Sequence, residues 1–191
     1  MEKGRLEAFT DGVMAIIVTI MVLEIKVPAG ASFSALAAGA PVLGAYALSF
    51  VNVGIFWTNH HHIFQATKKV NGKVLLANLF LLFWLSLMPF TIRWMDDTSF
   101  QSLPTASYGV VLSMCGLGYT LLERTIIAAD PANAKLAAAV GADFKAKASF
   151  ALAVVSVPMA FVRPWIAIAI YVAVALLWFV PDRRVEAHFK A

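Results

Sequence analysis

Cysteine is all but missing from this chain: Cys115 stands alone among 191 residues. A disulfide framework or a thiolate metal cluster needs partners that it does not have. It lies in an apolar run, where a free cysteine ordinarily serves as a small buried hydrophobe. Charge is also scarce. Only 14% of residues are Asp, Glu, Lys or Arg, whereas a soluble domain carries about 25%. That deficit excludes an ordinary soluble globule. The 61% hydrophobic content is gathered into long runs, the signature of membrane spans. The pI near 9.3 could suggest nucleic acid, but basic residues in such a chain more often encode topology. No nucleic-acid partner is expected. The first apolar run contains Asp11 and no small-residue cleavage site follows it, so no cleavable signal peptide is expected. Internal duplication, a linker and a second domain are also missing.

What is present reads as a single six-helix transmembrane domain over residues 1–191, an all-α integral membrane protein. Spans need about 17 to 25 residues. The runs fall at about 8–27, 36–65, 74–95, 104–127, 144–162 and 165–180. The second is longer than needed, and a kink is expected at Pro41. One helix through the last two runs would be roughly 55 Å long, too long for one crossing. Pro164 disfavours helix at Arg163, so a tight hairpin is expected there. Charge tests the count. Lys3, Arg5, Lys68, Lys69, Lys73, Arg124, Lys135, Lys145, Lys147, Arg183, Arg184 and Lys190 fall on one side, and Lys26, Arg93 and Arg163 on the other. That 12 to 3 division of the 15 basic residues predicts that both termini are cytoplasmic. The Ala-rich stretch 129–147 reads as a cytoplasmic loop, with Asp130-Pro131 as the start of a short helix.

Ionisable groups inside spans cost about 2.5 to 3.5 kcal/mol at the bilayer centre and are functional candidates by default. Asp11 lies near the cytoplasmic end of its span, where an interfacial acid favouring the helix dipole is the plain alternative. Ile16, Thr19, Ile20 and Leu23 form one helical stripe. Ordinary packing or lipid contact would also explain it. Asp11 lies about 140° around from Ile16 and shares its face with Ala15, Val18 and Val22. That acid face is expected to turn towards other helices of the same subunit.

The second span carries W-T-N-H-H-H, residues 57 to 62. Neighbours on a helix diverge by about 100°, so His60, His61 and His62 cannot converge on one ion. No HxxxH pair is present either. No structural metal site and no cofactor are expected. One or two of these histidines at the interface, and one turned inward to an acid such as Asp11, is the favoured arrangement. Asn78 is the lone amide in VLLANLFLLFW and should hydrogen-bond another helix. His60 and Asn78 lie at the depth of Arg5 and Asp11, which permits one network.

Arg5, Phe9, Thr10 and Asp11 reproduce, with threonine for the usual serine, the R-x-x-x-F-S-D signature of transmembrane protein 175 channels. Trp57, His60, Phe64 and Gln65 match in the second span, and Asn78 and Pro89-Phe90-Thr91 in the third. The chain thus resembles that family over its first three spans by specific residues and over the rest by hydropathy. The resemblance implies a potassium-permeable channel with no P-loop and no TVGYG filter, neither of which the sequence contains. It implies first helices lining a pore, with Ile16 as the narrowest hydrophobic ring, Thr19 one turn on, and Ile20 and Leu23 continuing the lining. Potassium would pass near Ile16 and Thr19. A single-repeat chain would assemble as a homotetramer in the plasma membrane of a prokaryote. Arg5, Phe9, Thr10, Asp11, Trp57, His60 and Asn78 would brace the first helix. Apolar rings gate by dewetting, and a hydroxyl ring replaces part of an ion's water shell. Glu24 could concentrate cations at the mouth, or be a plain interfacial acid.

A proton-coupled secondary transporter is the competing class, with Asp11 and His60 relaying protons. Neither paired broken helices nor an inverted repeat supports it. An enzyme is not expected, because no nucleophile, metal triad or second catalytic carboxylate accompanies the histidines.

Overall fold

The computed structural model describes residues 2–132 and 144–179. These form eight α-helices and no strand: α1 Lys3–Leu23, α2 Phe33–Ala38, α3 Ala40–Ala66, α4 Gly72–Ser86, α5 Met88–Asp97, α6 Ser102–Ala129, α7 Phe144–Val162 and α8 Pro164–Phe179. Five stretches are long and apolar enough to cross a membrane: α1, α3, α4 with α5, α6 and most of α7. The sixth apolar helix, Pro164–Trp178, is shorter.

Local chemistry sets the boundaries. Asn71 caps α4, its Oδ1 accepting from the backbone N–H groups of Lys73 and Val74, donors that a helix start leaves unpaired. Arg163 alone separates α7 from α8, and Pro164 opens α8 where its missing N–H costs nothing. The hairpin expected there is present. Between α5 and α6 the chain turns through Ser99 and Phe100, both left-handed with φ of 52° and 60°. Such backbone is uncommon outside glycine. The Phe100 N–H donates to Met95 O at 2.8 Å, and its ring stacks on Trp165.

Two boundaries differ from the sequence expectation. The kink expected at Pro41 falls at Gly39, and α3 restarts at Ala40 with Pro41 in its first turn. Proline fits a first turn, so the break moves two residues ahead of it, to Gly39. The expected third span, 74–95, is broken at Leu87, because Pro89 has no N–H to give and its ring would strike the carbonyl four residues back. Asp130, the expected start of a short helix, is described only at the end of α6. It closes α6 as its C-terminal cap, and Pro131 and Ala132 form a turn. The expected short helix otherwise falls on 133–143, and the basic tail on 180–191, outside the described residues.

The core centres on α4 and α6, and buried residues of α1, α3, α5, α7 and α8 join it. Val74, Leu81 and Leu85 meet Leu112, Cys115 and Leu122, all buried. Close packing is what holds helices together in lipid, where hydrocarbon on both sides removes the hydrophobic drive. Gly118 permits it: a Cβ there would lie 3.0 Å from the Leu81 backbone. Polar ties add register. Ser49 and Asn52 on α3 both donate to the Tyr108 hydroxyl at 3.0 Å, and the Tyr171 hydroxyl donates to Thr105 O at 2.8 Å. Helix α1 sits at the edge of this core, against α3, α4 and α5.

Candidate functional site

Helix α1 carries three stripes. Leu6, Thr10, Met14, Ile17 and Met21 are buried against the rest of the chain. The Ile16, Thr19, Ile20, Leu23 stripe lies about 130° around from it and the Asp11 stripe about 110° the other way. Both are outside the core. Ile16 is 58% exposed, Ile20 42% and Leu23 81%. The acid face lies at the rim of its own subunit: Asp11, Ala15 and Val22 are exposed, while Val18 packs against the core and Asp11 meets α3 through Trp57. The 3.6-residue period that buries Met14, Ile17 and Met21 selects Thr10, one residue before Asp11.

Thr19 is also exposed, and its Oγ1 donates to the Ile16 carbonyl at 2.8 Å. With its proton committed to the backbone, the hydroxyl presents only lone pairs outward. Such an oxygen can accept from water or from a cation. Beside this stripe, Val13, Ile16, Ile20, Phe90, Glu24 and Arg93 line an open groove of about 460 Å³ between α1 and the α4–α5 break.

The residues expected to brace α1 divide into two groups. In the first, all buried, the Asn78 Nδ2 donates to Thr10 Oγ1 at 2.8 Å, and its Oδ1 lies 3.0 Å from His60 Nε2. Since Oδ1 only accepts, Nε2 carries the proton. His60 also stacks on Phe64, with ring centroids 4.3 Å apart. In the second group, the Trp57 Nε1 donates to Asp11 Oδ1 at 2.9 Å across an exposed surface. The inward histidine thus meets an amide rather than Asp11, because Asn78 occupies the buried position facing it. Phe9 is exposed, and the Arg5 side chain has no hydrogen-bond or ion-pair partner among the described residues. The consecutive histidines diverge: His61 bonds Gln65 at 2.8 Å and stacks beside Trp57. Among the described residues no three metal-ligating side chains gather.

At the other end of α1 lies a cluster absent from the sequence expectation. Arg93 donates to Glu24 and to Asp97, each at 2.8 Å, and Lys26 pairs with both Asp97 and Asp96. The Asp97 hydrogen bond holds the Lys26 amine above its ordinary pKa. Glu24 is thus not a free acid. The legible signal was the i, i+4 spacing of Arg93 and Asp97 at the depth where Glu24 and Lys26 close α1.

Four similarities bear on this arrangement. Residues 5–89 match the sequence family described as "Endosomal/lysosomal potassium channel TMEM175". A potassium channel of Chryseobacterium sp. (strain P1-3) is 50% identical over 190 residues, spanning 100% of this chain and 99% of that protein. The human endosomal/lysosomal proton channel TMEM175 is 35% identical over 116 residues, which are 54% of this chain and 23% of that much longer protein. The crystal structure of a lysosomal potassium-selective channel TMEM175 homologue from Chamaesiphon minutus superposes with a TM-score of 0.79. That match covers 92% of this chain and 95% of the other at 24% identity, which establishes a common fold.

Proposed function

The chain belongs to the TMEM175 family, and from that premise we propose that it is a potassium-permeable cation channel of a bacterial plasma membrane. The family is one of ion channels, not enzymes. In this reading six spans place both termini in the cytoplasm, and four copies assemble with their α1 helices around the pore. Ile16 forms the hydrophobic constriction, Thr19 the hydroxyl layer, and Ile20 and Leu23 continue the wall. No cofactor is required.

The observation that carries the proposal is the uncovered Ile16, Thr19, Ile20, Leu23 stripe on a helix tied to its own chain near both ends. A helix fixed near both ends and open on one apolar stripe is suited to lining a shared axis. Thr19 oxygens turned outward can replace part of an ion's water shell, and a ring of isoleucine resists wetting until it dilates. Potassium preference should be modest, because four isoleucines offer no ligand oxygen.

Ion flux from liposomes holding only this purified protein tests the proposal, with potassium, sodium and caesium gradients compared. Ile16→Asn should enlarge the flux and weaken discrimination between potassium and sodium. Thr19→Val should reduce potassium preference or conductance while assembly is retained. Val18→Thr, on the Asp11 side, should change little. Unchanged permeation in the first two variants with an altered third would move the pore to another face.

The second reading is a proton-coupled secondary transporter with Asp11 and His60 as relay; the human relative, named a proton channel, supports passage of protons but not coupling. The structure joins Asp11 to Trp57 and His60 to Asn78 and draws no hydrogen bond between the two. Saturable uptake that collapses with the pH gradient would nonetheless favour it over the channel.

A further inference from the structure

A second groove lies away from the candidate pore stripe and from both ties of α1. It is an open trough of about 990 Å³ between the first turns of α4 and the last turns of α6. Its walls are Leu76, Leu79 and Leu121; Leu76 is 69% exposed and Leu79 48%. Its mouth carries Lys73 and Arg124, and no carboxylate lines it among the described residues. Neither cation has a side-chain hydrogen-bond or ion-pair partner among the described residues. The neighbouring acids are turned elsewhere: Asp130 pairs with Lys69 at 3.4 Å, and Glu123 is buried.

We propose that this groove binds an anionic phospholipid of the cytoplasmic leaflet, its phosphate between Lys73 and Arg124 and an acyl chain along Leu76, Leu79 and Leu121. The layout matches the molecule from end to end. From Lys73 to Leu79 the helix rises about 9 Å, enough to align the upper half of an acyl chain below a headgroup. Both cations sit where spans meet the cytoplasm in the charge-derived topology, the depth of lipid phosphates. Basic pockets between helices on that side are suited to anionic headgroups. Long side chains can cover the apolar walls with their stems while their charges stay at the interface. A second copy of the chain is the less suitable occupant, since it would have to bring carboxylates of its own to both cations, whereas one phosphate meets the two together.

The test is native mass spectrometry of the purified full-length protein titrated with phosphatidylglycerol or phosphatidylcholine. Wild type should retain phosphatidylglycerol preferentially. Each interfacial cation contributes a factor of about five to anionic-lipid attraction. The double variant Lys73→Gln with Arg124→Gln should therefore lose about 25-fold of that preference. Leu79→Trp should lower retention by filling the trough, and soluble glycerol phosphate should not displace the lipid. Lys147→Gln, an exposed cation on α7 outside the groove, should behave as wild type. Equal loss in Lys147→Gln would mean diffuse attraction to a basic face and would overturn the assignment, as would full retention in the double variant. A changed number of chains in that variant would instead make the groove a contact between copies. Potassium flux in phosphatidylcholine liposomes, measured alongside, separates failure of the lipid site from failure of the channel reading.

Discussion

Towards its N-terminal end α1 is held by Thr10, Asn78 and His60, neutral groups buried by the chain itself, whereas past its C-terminal end Glu24 and Lys26 join Arg93, Asp96 and Asp97 in an exposed ionic cluster. The two ties differ in what can loosen them. An amide bridging a hydroxyl and an imidazole away from water has no substitute partner, so it fixes geometry. Each of its atoms left unpaired would cost about 1 to 3 kcal/mol. The ionic cluster is bathed in solvent, where screening and side-chain entropy keep individual pairs weak. One end of α1 is therefore specified and the other adjustable. A helix that must line a pore and still move benefits from that asymmetry.

The comparison breaks most severely at Asn78. Asn78→Leu removes both bonds at once and leaves Thr10 Oγ1 and His60 Nε2 buried without partners. A loss of about 2 to 3 kcal/mol is expected, read as a fall in melting temperature in detergent and in assembled yield. The fall should be the same at low and high salt. Salt-sensitive destabilisation would show that water already reaches this group.

Arg93→Gln attacks the other end. It removes the link between Glu24 and Asp97 while leaving Lys26 paired to the acids. A smaller fall in melting temperature is expected at low salt, and none in about 1 M salt, where the Debye length is about 3 Å. A salt-independent effect would give the outer cluster the fixed character now assigned to Asn78.

The smallest effect is expected from Trp57→Phe. It deletes the hydrogen bond to Asp11 but leaves that carboxylate hydrated, so the melting temperature should barely move. If it falls as far as in Asn78→Leu, Asp11 is buried in the assembled protein by another copy, which crosslinking between chains would detect.

Much of the arrangement was legible from residue order. The Arg163–Pro164 break follows from helical rise and from a proline that restricts its neighbour, both local rules. Asn78 was recognisable as a helix-bridging amide because a lone amide in an apolar run has few other ways to be satisfied. Its partners were less legible. Four polar residues at a common depth permitted one network, but depth is one coordinate and the angle around each helix is another. The angle placed Thr10 inside and left Asp11 on the rim. The outer cluster escaped because it joins residues about 70 positions apart, and only packing of α1 along α5 makes them neighbours. The Tyr108 site, with Ser49 and Asn52, joins residues 59 and 56 positions apart.

The sequence by itself determined that the chain is helical and apolar enough for a membrane, where most helices start and stop, and which residue types could serve a pore. Those are consequences of composition, periodicity and backbone chemistry, which act within a few residues. The tertiary structure alone decided which face of α1 is covered, that Asn78 rather than Asp11 satisfies His60, and that Glu24 is held by Arg93. Each depends on the rotation of one helix against another. That rotation is set by packing over the whole interface, with Gly118 letting α6 approach Leu81, and no local stretch encodes it.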